Sequence, residues 1–102
     1  MIPSGYARRY FSPALAQMRG RISSWVSQVE LVSSHCDNES YRGLNRAYVE
    51  QHRTYCRAQL SEVKLRKQRI ESLKAAIEEA ARKKDIYPGV MRELFTEIGW
   101  TP

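Results

Sequence analysis

Apolar residues recur along the first third of the chain in alternating steps of three and four: Leu15, Met18, Ile22, Trp25, Val29, Val32 and Cys36. Such a repeat marks one seam of an amphipathic helix that packs against a partner helix. The spacing predicts a helix over residues 13–36, with Ser12 as N-cap and Pro13 at the first helical position, where its missing N–H costs nothing. The run "CDNES" breaks the pattern, and Asp37 or Asn38 is suited to cap a second helix. That helix is expected from about Glu39 to Lys84, uninterrupted by proline and supported by Glu62–Arg66, Glu78–Arg82 and Glu79–Lys83 at i, i+4. Pro88 and Gly89 read as a turn, after which Val90, Met91, Leu94, Phe95 and Ile98 fit a short helix stopped by Gly99. The expected fold is all-α: an antiparallel helical hairpin, coiled-coil-like, with unequal arms and a short C-terminal helix. By residue, 1–12 form a basic extension, 13–86 the hairpin, and 87–102 the turn and last helix.

The two long arms do not match in length. At about 1.5 Å per residue the first spans about 36 Å and the second about 70 Å. A tight turn at residues 37–38 lets the first arm cover the second only to about Val63, with Tyr41, Leu44, Tyr48, Tyr55 and Leu60 facing its seam. Val63, Ile70, Leu73 and Ile77 then continue a stripe beyond that cover, and a bare stripe on an isolated helix is marginal in water. The C-terminal helix is able to fold back over Ile70–Ile77. Alternatively, Leu94, Phe95, Ile98 and Trp100 join the stripe as anchors for another protein, and this is the arrangement expected here.

Charge adds a second feature. The net charge of the 102 residues is +6, but it is uneven. Residues 1–29 carry Arg8, Arg9, Arg19 and Arg21 with no acid, and residues 60–86 carry eight bases against five acids. Arg8, Arg9, Arg19, Arg21, Lys64, Arg66, Lys67 and Arg69 are therefore the candidate contacts to RNA or an anionic lipid surface. The interleaved Glu62, Glu71, Glu78 and Glu79 fit an ordinary solvated helix face better. The acid-free N-terminus resembles a mitochondrial targeting segment, and "ARRYFS" resembles a matrix-protease site with Arg9 two positions before Phe11. No stretch has the length and apolarity of a transmembrane span.

The stretch from His35 to Cys56 holds the only residues that suggest chemistry. His52 and Cys56 share a helix face at i, i+4, which is half of a zinc site. In the hairpin as drawn, however, Cys36 lies beside the turn and Cys56 about 22 Å further along the second arm. That separation excludes a disulfide, whose Cα atoms must lie within about 7 Å, and equally excludes a shared metal. Both cysteines are then expected as small apolar residues in the seam, and no metal or cofactor is expected. A twin-cysteine hairpin of the mitochondrial intermembrane type needs two cysteine pairs, whereas this chain has two cysteines. "SYRGLNRAY" shares only Tyr41 and Arg42 with the Leu-Tyr-Arg motif of small mitochondrial helical proteins, so no family is assigned. There is no Gly-rich phosphate loop, no nucleophile elbow and no pair of acids held in an obvious cleft, and a thin hairpin offers little concavity.

The function these features predict is non-catalytic: an accessory subunit that docks by helix packing into a larger protein assembly, such as a mitochondrial energy-converting complex. A hetero-complex is favoured over a homo-oligomer. The alternatives are a basic rRNA-binding component of a mitochondrial ribosome and a cytoplasmic or nuclear coiled-coil adaptor.

Overall fold

The computed structural model describes residues 4–36, 43 and 45–100. These contain four α-helices: α1 Ser4–Tyr10, α2 Ser12–His35, α3 Arg46–Lys83 and α4 Pro88–Glu97. The long α2 and α3 run antiparallel, and the molecule is a rod of 63 × 19 × 18 Å. The helical hairpin with a short C-terminal helix is thus the observed architecture.

Local chemistry sets the boundaries. Phe11, rather than Ser12, is the N-cap of α2 and makes no side-chain cap bond. Pro13 lacks the N–H that would bond the carbonyl of Arg9, so the chain breaks there and the segment before it forms α1. At the start of α3 the Asn45 side chain accepts a 2.8 Å bond from the Ala47 N–H, one of the orphan donors of a helix N-terminus. This helix therefore begins at Arg46, later than the expected Glu39. The candidate caps Asp37 and Asn38, with Tyr41 and Leu44, lie outside the described residues.

The C-termini of α3 and α4 close in the same way. Asp85 takes φ 57° after α3, and the Ile86 N–H reaches back to the Ala81 carbonyl at 3.0 Å. Gly99 takes φ 92° after α4, and the Trp100 N–H reaches the Phe95 carbonyl at 3.0 Å. Each is a Schellman closure, with a left-handed residue just past the helix. Pro88 and Gly89 are not the turn between these helices; Pro88 opens α4, where its fixed φ suits the first turn. Arg82 pairs with Glu79 one turn back, in place of the expected Glu78–Arg82 and Glu79–Lys83 pairs, while Glu62–Arg66 forms at 3.1 Å.

The axial register of the hairpin differs from the expected one, and the whole core follows from that difference. The Trp25 indole N–H donates to the Val63 carbonyl at 3.1 Å, Gln28 bonds Gln59, and Arg66 donates to Ser24 Oγ at 2.9 Å. Val63, expected at the limit of cover, is reached by the middle of α2. The N-terminal half of α2 is left to lie over the rest of α3. Ile70 and Ile77 are therefore buried in the chain's own core, with Ala7, Phe11, Leu15 and Met18 from the N-terminal helices and Leu94 and Phe95 from α4. The stripe expected to be bare is covered from within. Phe95, Met18 and Ile70 are its largest fully buried side chains.

Candidate functional site

The same register determines what meets at the other end of the rod. With Trp25 on Val63 and Gln28 on Gln59, the last turn of α2 comes opposite the third turn of α3. Cys36 and Cys56 lie there with Cα atoms 5.9 Å apart and form a disulfide. This corrects the expectation that the two cysteines lie far apart and reduced. The difference follows from where the second helix starts: α3 begins at Arg46, so Cys56 is ten residues into it, whereas a start at Glu39 puts it seventeen residues in. The bridge closes the end of the hairpin where the seam is weakest. Its neighbouring layer is the polar Gln28–Gln59 pair, and Val32 and Cys56 are buried there but stand apart from the main core.

His52 completes the group. It is one turn before Cys56 on the same face of α3, and its Nε2 lies 3.7 Å from Cys56 Sγ. The same nitrogen is 2.6 Å from the backbone carbonyl of His35, to which it donates. Tyr48 and Tyr55 stack on the two sides of the imidazole, each with ring centroids 6.1 Å away. Those contacts fix the ring plane, within the 4.5–7 Å range of aromatic pairs. The ligand atoms of Cys36, His52 and Cys56 all lie within 4.8 Å of one another. The distance argument against a shared metal therefore falls together with the argument against the disulfide.

Of the residues expected in the hairpin seam, Leu15, Met18, Ile22 and Val32 are buried, and Trp25 is half-buried in a T-shaped contact with Trp100. Val29 is more exposed, because Gln28 takes the contact with α3. Tyr48, Tyr55 and Leu60 do not face α2; they are 53%, 46% and 47% exposed. The face of α3 that meets α2 is instead Cys56, Gln59, Val63, Arg66, Ile70, Leu73 and Ile77. This is a heptad seam whose two polar members obscure it.

The expected docking residues are corrected in turn. Ile70, Ile77, Leu94 and Phe95 are buried within the chain. Leu73, Ile98 and Trp100 are partly buried against the same core, and Val63 is half-buried beneath Trp25. A small chain must close its core with whatever helices it has, and α4 is long enough to do so once α2 covers Ile70.

Among the candidate anion contacts, Arg21, Arg66 and Arg69 come together with Ser24 and Glu62 around a shallow recess of about 290 Å³ between α2 and α3. Others are already engaged or lie apart. Arg8 forms a bidentate pair with Glu97, at 2.7 and 2.8 Å, tying α1 to α4. Within the recess, Arg66 is itself held by Glu62 and Ser24. Arg9, Arg19, Lys64 and Lys67 are exposed. Glu79 has its carboxyl held below the usual range by the hydrogen bond from Arg82, on an exposed face. That contribution is present at neutral pH and is lost as pH falls through the lowered carboxylate range.

No helix among the described residues is long and apolar enough to cross a membrane. Compared with family models, with curated proteins and with solved structures, the chain matches none. The functional reading therefore rests on its own residues.

Proposed function

We propose that this protein is a non-catalytic accessory subunit that docks by helix packing into a larger protein assembly, and that its docking surface is the unfilled part of the groove between α2 and α3. In the heptad register, Leu15 and Arg19 of α2 and Lys67 and Lys74 of α3 border the side of the hairpin occupied by α4 and the Trp100 that follows it. Trp100 stops against Trp25. Beyond that contact, toward the bridge, Val26 and Leu60 hold the corresponding heptad positions and are 40% and 47% exposed. This exposed apolar pair, on the side of the hairpin that α4 occupies further along and with no described helix on it, is the observation that carries the proposal. Its occupant is an amphipathic helix of a partner subunit, which would extend the three-helix packing begun by α4.

The disulfide supports a compartment in which such bridges persist, and weighs against the cytoplasmic and nuclear adaptor. The resemblance to a mitochondrial targeting segment is compatible with that setting only if residues 7–11 are retained, since Ala7 and Phe11 are part of the core. Nucleic-acid binding has weaker support, because Arg8, Arg66 and Arg82 are each paired with a carboxylate of the chain.

The test is affinity purification of the full chain from its native source at low and high salt, beside the double variant Val26→Asp, Leu60→Asp. We expect protein partners that survive high salt with the wild type and are lost with the variant, whose helicity and melting are nearly unchanged because both sites are exposed. Partners retained by the variant would place the docking surface elsewhere. A polyanion that leaves as salt rises would replace the reading with the nucleic-acid one.

A further inference from the structure

We propose that the bridge end of the hairpin is a redox-selected zinc site: when the Cys36–Cys56 disulfide is reduced, Cys36 Sγ, Cys56 Sγ and His52 Nε2 hold one Zn²⁺. The disulfide and the metal are then alternative staples for the same end of the hairpin.

The ligand set is the one zinc uses: two thiolates and one imidazole, a soft and borderline combination that hard cations such as Mg²⁺ and Ca²⁺ do not favour. The spacing fits as well. Zn–S bonds of about 2.3 Å in a tetrahedral arrangement put two sulfurs about 3.8 Å apart, and an imidazole nitrogen at about 2.0 Å lies slightly closer to each. The three ligand atoms already fall within 4.8 Å of one another. Separating the sulfurs from bonded distance needs side-chain rotation only, since the Cα atoms are 5.9 Å apart. The two ligands on α3 are at i, i+4 and the third comes from α2, so a bound metal would fasten one helix to the other as the disulfide does. His52 is held for this role by the Tyr48 and Tyr55 rings on either side.

The chemistry balances as follows. A dithiol or tripeptide thiol gives two electrons and two protons, the S–S bond breaks, each sulfur becomes a thiol, and the reductant leaves as its own disulfide. Zn²⁺ then displaces both thiol protons, and the imidazole presents an unprotonated Nε2 in its Nδ1–H tautomer, giving up the bond to the His35 carbonyl. The product carries no net ligand-metal charge, since two thiolates balance Zn²⁺ and the imidazole is neutral.

The experiment uses the full tag-free chain, once oxidised and once reduced by a phosphine, titrated with Zn²⁺ against a chromophoric chelator and separately with Co²⁺ as a spectroscopic probe. The reduced chain is expected to take up one Zn²⁺ and to give with Co²⁺ the intense d–d and sulfur charge-transfer bands of a four-coordinate thiolate site, while the oxidised chain takes up none. His52→Ala, which leaves the disulfide possible, is expected to weaken binding by about tenfold or more and to alter the Co²⁺ bands. If reduction lowers helicity, Zn²⁺ is expected to restore it. A reduced chain that fails to compete with the chelator, equal uptake by the oxidised chain, or a His52→Ala variant that binds as tightly as wild type overturns the proposal.

Discussion

Phe95→Ala is expected to destabilise the chain by about 3–5 kcal/mol, the range for removing a buried aromatic ring from a packed core. Phe95 is 1% exposed and belongs to the cluster that joins Ile70 and Ile77 of α3 with Met18 of α2. Domains of this size have about 5–15 kcal/mol in total, so the variant should melt far below the wild type or be partly unfolded at 37 °C. Thermal unfolding followed by circular dichroism is the check. The same experiment separates two views of α4. A helix held in reserve for a partner would leave the isolated chain indifferent to Phe95→Ala, whereas a helix that closes the core makes the loss large. A melting change within a few degrees would show that α4 does not dock.

Opening the Cys36–Cys56 bridge is expected to cost about 3 kcal/mol, from the chain-entropy estimate for a loop of this size, with cysteines 20 residues apart. For a domain of about 100 residues that corresponds to a melting temperature lower by on the order of 15 °C. The effect should be concentrated at one end. Beyond the Gln28–Gln59 layer few apolar residues hold α2 to α3, while the opposite end has the buried cluster and the Arg8–Glu97 tie. Amide exchange in the reduced, metal-free chain should therefore quicken around Val32–His35 and Arg46–Cys56 before it quickens around Met18 or Ile70. Uniform loss of protection would mean that the rod has no separate bridge end.

The contrast between the two ends also explains what could be read from the sequence. The phase of α2 was legible because Leu15, Met18, Ile22 and Val32 repeat without a polar interruption, and Gly99 was legible as the stop of α4. The axial position of α3 was not. A periodic pattern reports which face of a helix is buried and says nothing of how far it has slid along its partner. Here the position is shown by the contacts themselves, Trp25 on Val63 and Gln28 on Gln59. The phase of α3 was hidden as well, since its true seam runs through Gln59 and Arg66, while Tyr41, Tyr48 and Tyr55 recur every seven residues one position away. With the aromatic repeat taken as the seam and the start of the second helix placed too early, Cys36 and Cys56 were separated and Ile70 was left bare. The single legible fragment of the site was His52 with Cys56 at i, i+4; its third member, Cys36, comes from another helix and needed the register to be known.

The core, the pairing of Val26 with Leu60 on one side of the hairpin, and the cysteine–histidine cluster all depend on that register, so disulfide mapping tests the account most directly. The chain, refolded in a glutathione redox buffer, alkylated and digested with trypsin without reduction, should yield the peptide of residues 22–42 joined to that of residues 54–57, both released by reduction. Recovery of the two peptides alkylated and separate, or joined only between chains, would contradict the register and the fold built on it.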